Sequence, residues 1–357
     1  MSVFPHGHID RSGWKRVRLG EVCKPCRGIR VIRSQLSQGR YLVYQNSLIP
    51  LGHYDKCNTP ANTTFVIAAG SAGEIGYCDE PFWAADDCFF LLPNQDVISK
   101  FLYYSLAAQQ QHISGLVRRG SVPRLARDIV GNLVLTLPDM AEQEKIVRSL
   151  TAIDINISTI QSLVAKYEAI KKATVNLLLK PKAGWKRVKL GDVFEVKVGG
   201  DLDVPHYSPY KTIDCRYEIV SNSLTNHGHY GYTSLPNFPG DSITVTGRGN
   251  VGHAEYRQEP FDAIVRIVIL SPNCAQVCSK FVAELINATD TFLIESTGVP
   301  QLTAPQIAST SITLPPLDEQ KRIVEILDSL DGTISGLRSQ LAKAQDIKRG
   351  MMAYFFG

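Results

Sequence analysis

The 357 residues predict an α+β protein built twice: two tandem globular modules separated by two long helices that pair as an antiparallel coiled coil, related by a pseudo-twofold internal repeat. Three observations predict this. Residues 13–22 read GWKRVRLGEV and residues 184–193 read GWKRVKLGDV, identical at eight of ten positions and offset by 171. Each copy opens a stretch of short β-branched runs bounded by Gly, Pro or Asp. Each stretch then gives way to apolar residues at alternating spacings of four and three, a period near 3.5.

The bulk properties narrow the class. At 44% hydrophobic and 20% charged residues the composition is that of an ordinary globular protein. No apolar run approaches the ~20 residues of a membrane-spanning helix. The start, MSVFPHGHIDRSG, lacks the charged-then-apolar pattern of a signal peptide, so residues 1–12 read as a short leader. Eight cysteines scattered through a long chain suit reduced thiols in a cytoplasm. Cys23 and Cys26 form a CxxC, but no second pair completes a zinc set, and the second copy holds Phe194 and Lys197 there; no metal site is expected. Cys274 and Cys278 have the spacing of one helical face. Residues 13–137 carry 14 Lys and Arg against 9 Asp and Glu, while 184–314 carry 10 against 13. A uniform basic stripe is therefore excluded, and any nucleic-acid face on the second module must be assembled locally.

The first module is expected over 13–137 and the second over 183–314. Phe65–Ile67, Phe89–Leu92, Ser242–Thr246 and Ala263–Leu270 read as strands. Lys100–Gln111 and Lys280–Ala288 read as helices. Asn46-Ser47-Leu48 and Gly52-His53-Tyr54 recur as Asn222-Ser223-Leu224 and Gly228-His229-Tyr230 at an offset of 176, and Gly73-Glu74-Ile75-Gly76 recurs as Gly249-Asn250-Val251-Gly252. Val122-Pro123-x-Leu125 recurs as Val299-Pro300-x-Leu302 at an offset of 177.

The spacer segments are 138–182 and 315–357. Leu137-Pro138-Asp139 and Leu314-Pro315-Pro316 suit helix starts, with acids following at the positive end. The first stripe is Ile146, Leu150, Ile153, Ile157, Ile160 and Val164, and the second is Ile323, Leu327, Leu330, Ile334, Leu337 and Leu341, in one register at an offset of 177. Helices over 139–179 and 317–356 would each be ~60 Å long. Lys171 and Lys348 share one heptad slot. Either they snorkel at fraying ends, or the seam opens there to receive another protein.

Catalytic signatures are missing. The glycine-rich stretches lack the Gly-Lys-Ser/Thr of a phosphate loop and sit between strand-like runs, so they read as tight turns. No GxSxG, HExxH, calcium loop or Asn/Asp-Pro-Pro-aromatic motif occurs, and Asp86-Asp87 has no acidic counterpart in the second copy. No catalysis, cofactor or metal is expected on this chain. What remains are residues able to reach base edges and phosphates. Arg118, Arg119, Ser121 and Arg124 crowd one stretch of the first module; its counterpart keeps the frame but offers Thr297 and Gln301. Asn46, His53 and Tyr54, their matches Asn222, His229 and Tyr230, and Arg248 and Asn250 complete the candidates. The frame repeats while the polar side chains change, as two modules reading two targets would require.

The ordered pattern Gly-Trp-Lys-x-Val-x-Leu-Gly-Glu/Asp-Val, then Val-Pro-x-Leu, then Leu-Pro-x-x-x-Glu-Gln-x-x-Ile-Val leading into a long helix, present twice, resembles the specificity (S) subunit of Type I restriction–modification enzymes over about residues 13–357. Leu137-Pro138, Glu142-Gln143 and Ile146-Val147, with Leu314-Pro315, Glu319-Gln320 and Ile323-Val324, carry the resemblance most strongly. It implies that each module is a target recognition domain reading one half of a bipartite, asymmetric site on double-stranded DNA. It implies that the helix pair fixes the unread spacer and docks two methyltransferase subunits, which bring S-adenosylmethionine and a base-flipping pocket. Restriction subunits with ATP-driven, Mg-dependent motors would join them. The competing reading is a coiled-coil protein-interaction scaffold without DNA readout.

Overall fold

The computed structural model describes residues 11–249, 251–289, 291–292 and 301–357. The chain divides into two compact units, one running to Ser162 and including Arg338–Gly357, the other Leu163–Leu337.

The first unit contains β1 (Lys15–Arg18), α1 (Leu19–Val22), β2 (Cys23–Arg27), β3 (Tyr41–Tyr44), β4 (Gly52–Tyr54), β5 (Thr63–Ile67), β6 (Ile75–Cys78), β7 (Trp83–Ala84), β8 (Cys88–Pro93), α2 (Ser99–Ala108), α3 (Gln110–Gly115), α4 (Arg127–Gly131) and β9 (Val134–Leu137). The long helix α5 (Met140–Leu178) begins here and ends in the second unit. The repeated opening motif makes β1 and α1. β1 pairs antiparallel with β9, Val17 opposite Leu135, so the strand entering the module is tied to the strand leaving it. Glu21 accepts the Arg18 N–H at 3.0 Å and caps α1, a task that Asp192 repeats for the Lys189 N–H at 3.2 Å. That shared task explains why both copies hold an acid at this position. Trp14 packs on the first core, and the Trp185 ring meets Phe281 at 6.2 Å in the second.

The main sheet has the order β2-β8-β5-β6, all antiparallel, and a smaller one the order β4-β3-β7. α2 buries Phe101, Leu102 and Leu106 in one core with Val66 and Leu91 of the main sheet and Ile146 and Leu150 of α5. The other end of the chain completes this core: Met351, Met352, Phe355 and Phe356 pack on it, and Arg11 donates to the Tyr354 and Gly357 carbonyls at 2.9 and 2.5 Å.

The second unit repeats the plan with β10 (Lys186–Lys189), α6 (Leu190–Val193), β11 (Phe194–Val198), β12 (Tyr207–Ser208), β13 (Tyr217–Val220), β14 (His229–Thr233), β15 (Ser242–Val245), β16 (Ala254–Arg257), β17 (Phe261–Ala263), β18 (Val268–Pro272), α7 (Ser279–Ala288), α8 (Ala304–Ser309) and β19 (Ser311–Leu314). Its sheets have the orders β11-β18-β15-β16 and β12-β14-β13-β17. The last helix, α9 (Leu317–Phe356), starts here and ends in the first unit.

Within each unit the helix segments pair antiparallel. In the first, Asp154 and Lys348 join at 2.6 Å; in the second, Lys171 meets Asp331 at 2.6 Å and Lys182 meets Glu319 at 3.4 Å. The stripe residues are buried or half-buried, with Ile146 and Leu150 fully so. Lys171 and Lys348 thus neither snorkel freely nor mark an open seam, because each has an aspartate partner on the facing helix.

A buried glutamine fastens each helix to its module. Gln143 accepts the Ile98 N–H at 2.9 Å and donates to the Asp96 and Pro138 carbonyls. Gln320 does the same with Cys278, Gln276 and Pro315. This is the physical content of the Leu-Pro-x-x-x-Glu-Gln pattern: the amide satisfies three backbone groups that burial would otherwise strand.

Four sequence expectations shift. The run Ala263–Leu270 is two strands, β17 and β18, separated by a turn in which Val265 and Arg266 take φ of 57° and 58°. The helix expected over 100–111 is α2 followed by α3. Cys274 and Cys278 precede α7 and do not share a helical face. The matching of the two copies also changes. Tyr41 pairs with Tyr54 and Tyr217 with Thr233, so Gly52-His53-Tyr54 corresponds to Gly231-Tyr232-Thr233. Thr63 pairs with Cys78 and Ser242 with Arg257, and Gly73 corresponds to Gly252, each with φ of 88°. Three extra residues in the segment before β14 move the offset from 176 to 179. There Asn226 and His227 have φ of 48° and 56°, and the buried Arg257 donates to the His227 carbonyl at 2.8 Å.

Candidate nucleic-acid interface

In the first module three segments converge on one exposed face. The loop carrying Arg118, Arg119, Ser121 and Arg124 is closed by reciprocal backbone hydrogen bonds between Arg118 and Arg124, at 2.9 and 3.1 Å. Arg124 also bridges Ala69, the Leu125 N–H donates to Ala68, and the Gly70 N–H donates to Pro123. Gly70 holds φ of 86°, where a side chain would strain, and its neighbour Ser71 donates to the Asn46 carbonyl at 2.9 Å. Asn46 therefore contributes its backbone to the framework and leaves its exposed side chain outward. The turn before β8 completes the face: the Asp87 carbonyl accepts the Ala68 N–H at 2.7 Å, and the Arg27 Nε donates to the Asp86 carbonyl at 2.9 Å. Arg27, Arg118, Arg124, Asp86 and Asp87 line a groove of about 350 Å3.

His53 and Tyr54 stand apart from this set on β4. His53 is exposed, while Tyr54 is half-buried against Trp83 with ring centroids 5.0 Å apart. Tyr54 is thereby a packing residue of the smaller sheet.

The second module builds the same face from different side chains. Arg248 bridges Gln301, the Leu302 N–H donates to Gly247 at 2.9 Å, and the turn before β18 is Val265-Arg266. Asn222 holds the framework: its Oδ1 accepts the Gly247 N–H at 2.9 Å and its Nδ2 donates to the Val265 carbonyl. A Cβ at Gly247 would meet the Leu302 carbonyl at 3.0 Å and the Arg266 carbonyl at 3.5 Å, which keeps these strands close. Asn222 is accordingly a positioning residue. His229 sits 3.7 Å from Glu218 and packs on Tyr232, and Tyr230 is exposed near Tyr207. With the register corrected, neither is the counterpart of His53 or Tyr54. Asn250 and Thr297 lie outside the described residues.

The corrected register exposes what the sequence reading missed. Ala69 faces Arg124 where Arg248 faces Gln301, and Asp86-Asp87 stands where Val265-Arg266 does. The signal was present in Glu80-Pro81-Phe82 and Glu259-Pro260-Phe261, which match at 179 rather than 176. The cysteines take no part in this face. Cys23 and Cys26 lie three apart on β2, which turns them to opposite sides of the strand, and burial, aided by Cys26, pushes the Cys23 thiol up to about 12.

Two copies of one module, each presenting a differently charged face on the same framework, make a two-part recognition protein. The chain belongs to the type I restriction modification DNA specificity domain family, whose model matches residues 11–169 and again 182–344. It is 25% identical over 350 residues, 95% of each chain, to a type I specificity subunit of Mycoplasma pneumoniae. It is 21% identical to the type I restriction enzyme MjaVIII specificity subunit of Methanocaldococcus jannaschii, covering 97% of this chain and 93% of that one. Its fold matches the crystal structure of a type I restriction–modification S subunit from M. genitalium with a TM-score of 0.76 at 17% identity, covering 100% and 98% of the two chains.

Proposed function

We propose that this chain is the DNA-reading subunit of a Type I restriction–modification complex, and that each module reads one half of a bipartite site. The observation that carries the reading is the pair of equivalent faces. Membership of a DNA specificity family accounts for the shared framework, and two half-sites of different sequence account for Ala69/Arg124 becoming Arg248/Gln301. Arginine pairs with guanine O6 and N7, and glutamine with adenine N6 and N7, in the major groove. The arginines of the first module also suit phosphates, which position the protein without reading sequence.

The chain carries no catalytic group in this reading. Two methyltransferase subunits dock on the helices, bringing S-adenosylmethionine and the pocket for the extruded base. Restriction subunits supply ATP- and Mg-dependent cleavage, in the cytoplasm. The helices α5 and α9 set the unread spacer.

The test is reconstitution of the chain with its methyltransferase subunits, followed by sequencing of the methylated sites. A two-part motif is expected. Replacing residues 13–137 with the module of another family member changes one half of it, and inserting one heptad into α5 changes the spacer alone. A chain that binds the methyltransferase subunits yet confers no DNA binding in a gel shift is a protein-interaction scaffold.

A further inference from the structure

We propose that the turn ahead of the second strand in the order of each main sheet, Asp86-Asp87 before β8 and Val265-Arg266 before β18, is a base-discriminating element, paired with the bridge beside it. The inference rests on the half-site reading above and assigns chemistry to residues outside the candidate reading set of the sequence. Three observations carry it.

The turn is built into the candidate face. In the first module Asp87 accepts from Ala68, next to the Ala69–Arg124 bridge, and both aspartates line the groove shared with Arg118 and Arg124. In the second module the Arg266 carbonyl lies against Gly247, next to the Arg248–Gln301 bridge.

The turn is held at the same carbonyl by unrelated side chains. Arg27 of β2 donates to the Asp86 carbonyl, and Asn222, from the segment after β13, donates to the Val265 carbonyl. The position of the turn is kept although the means of holding it differ.

The turn's chemistry is inverted between the copies, half-buried acids in the first and exposed valine and arginine in the second, and in the second against local cost. Val265 and Arg266 both adopt left-handed backbone, a conformation that a β-branched residue rarely tolerates, and both are exposed. A turn selected only for connecting two strands would place Gly or Asn there. Asp86 and Asp87 can accept from the amino groups of cytosine or adenine. Val265 can contact a thymine methyl, and Arg266 can donate to guanine.

The test uses the full chain with its methyltransferase subunits acting on a randomised DNA library, with methylated sites sequenced. The isosteric variant Asp86→Asn/Asp87→Asn keeps the turn's backbone bonds. It should relax one base position of one half-site by about tenfold or more and leave the other half-site unchanged. Val265→Ala/Arg266→Gln should do the same in the other half. An unchanged motif from both variants, each melting like the parent, overturns the proposal while the half-site reading stands. Equal weakening of all sites without a change of motif also overturns it, because that marks phosphate contact. If the parent complex itself yields no two-part motif, the half-site reading has failed instead. Should one variant fail to fold, the other module's variant decides.

Discussion

In the first module an alanine faces an arginine across the bridge that pins the exposed loop; in the second an arginine faces a glutamine at the same bridge. One turn away, two aspartates in the first module stand where the second has valine and arginine. Yet one backbone bond beside these positions is kept, from the Leu125 N–H to Ala68 and from the Leu302 N–H to Gly247. The comparison separates two kinds of constraint. Buried positions whose partners are backbone groups, such as Gln143 and Gln320, cannot vary without stranding those partners. Exposed positions on the fixed framework can exchange charge freely, since little in the fold depends on them.

The sharpest way to break the shared half of this comparison is to remove a fastening glutamine. Gln143→Ala leaves the Ile98 N–H and two carbonyls unpaired in a buried site, and a loss of about 4 kcal/mol is expected. Urea unfolding should show it in the first unit, and Gln320→Ala should shift the second unit by a similar amount. Unequal losses would mean that the two fastenings are not equivalent. Next come the stripe residues: Leu150→Ala and Leu327→Ala, fully buried and almost so, should each cost about 3 kcal/mol, seen as lowered melting.

Arg257 sharpens the difference between the modules. It is a buried arginine where the first module has Cys78, and it donates to Thr244, Glu255 and the His227 carbonyl. Burial lowers its pKa, with Glu255 opposing. Arg257→Met should cost about 2 kcal/mol and expose the 222–230 segment to protease, with the first module unaffected. Smallest are the seam ion pairs. Lys171→Met and Lys348→Met should each cost about 0.5 to 1 kcal/mol, less in high salt, as measured by melting at two ionic strengths.

The duplication, the long helices and their seam were legible in the sequence because they rest on periodicity and on buried residues with few alternatives. The GWKRVRLGEV motif was legible as an anchor, although its role in pairing with the exit strand needs the partner β9, far along the chain. The candidate face was legible only in part. Arg118, Arg124, Arg248 and Gln301 were found because they sit in a repeated frame. Asp86-Asp87 was legible only as an acidic pair with no acidic counterpart, and Val265-Arg266 was hidden for a physical reason. The run AIVRIVIL has the composition of a single strand, and only tertiary contacts, with Asn222 holding the Val265 carbonyl, bend it into left-handed backbone. The false match of Gly228-His229-Tyr230 to Gly52-His53-Tyr54 has a similar origin. Three inserted residues place the same tripeptide three positions ahead of its structural place.

The core of the first module includes Met351, Met352, Phe355 and Phe356, whereas the second unit is one unbroken stretch, Leu163–Leu337. On a ribosome α9 follows both modules, so Met351, Met352, Phe355 and Phe356 reach the first core only after the second module has been made. Until then Leu102, Ile146 and Leu150 lack part of their cover, and the first module's core is finished after the second module's chain has emerged.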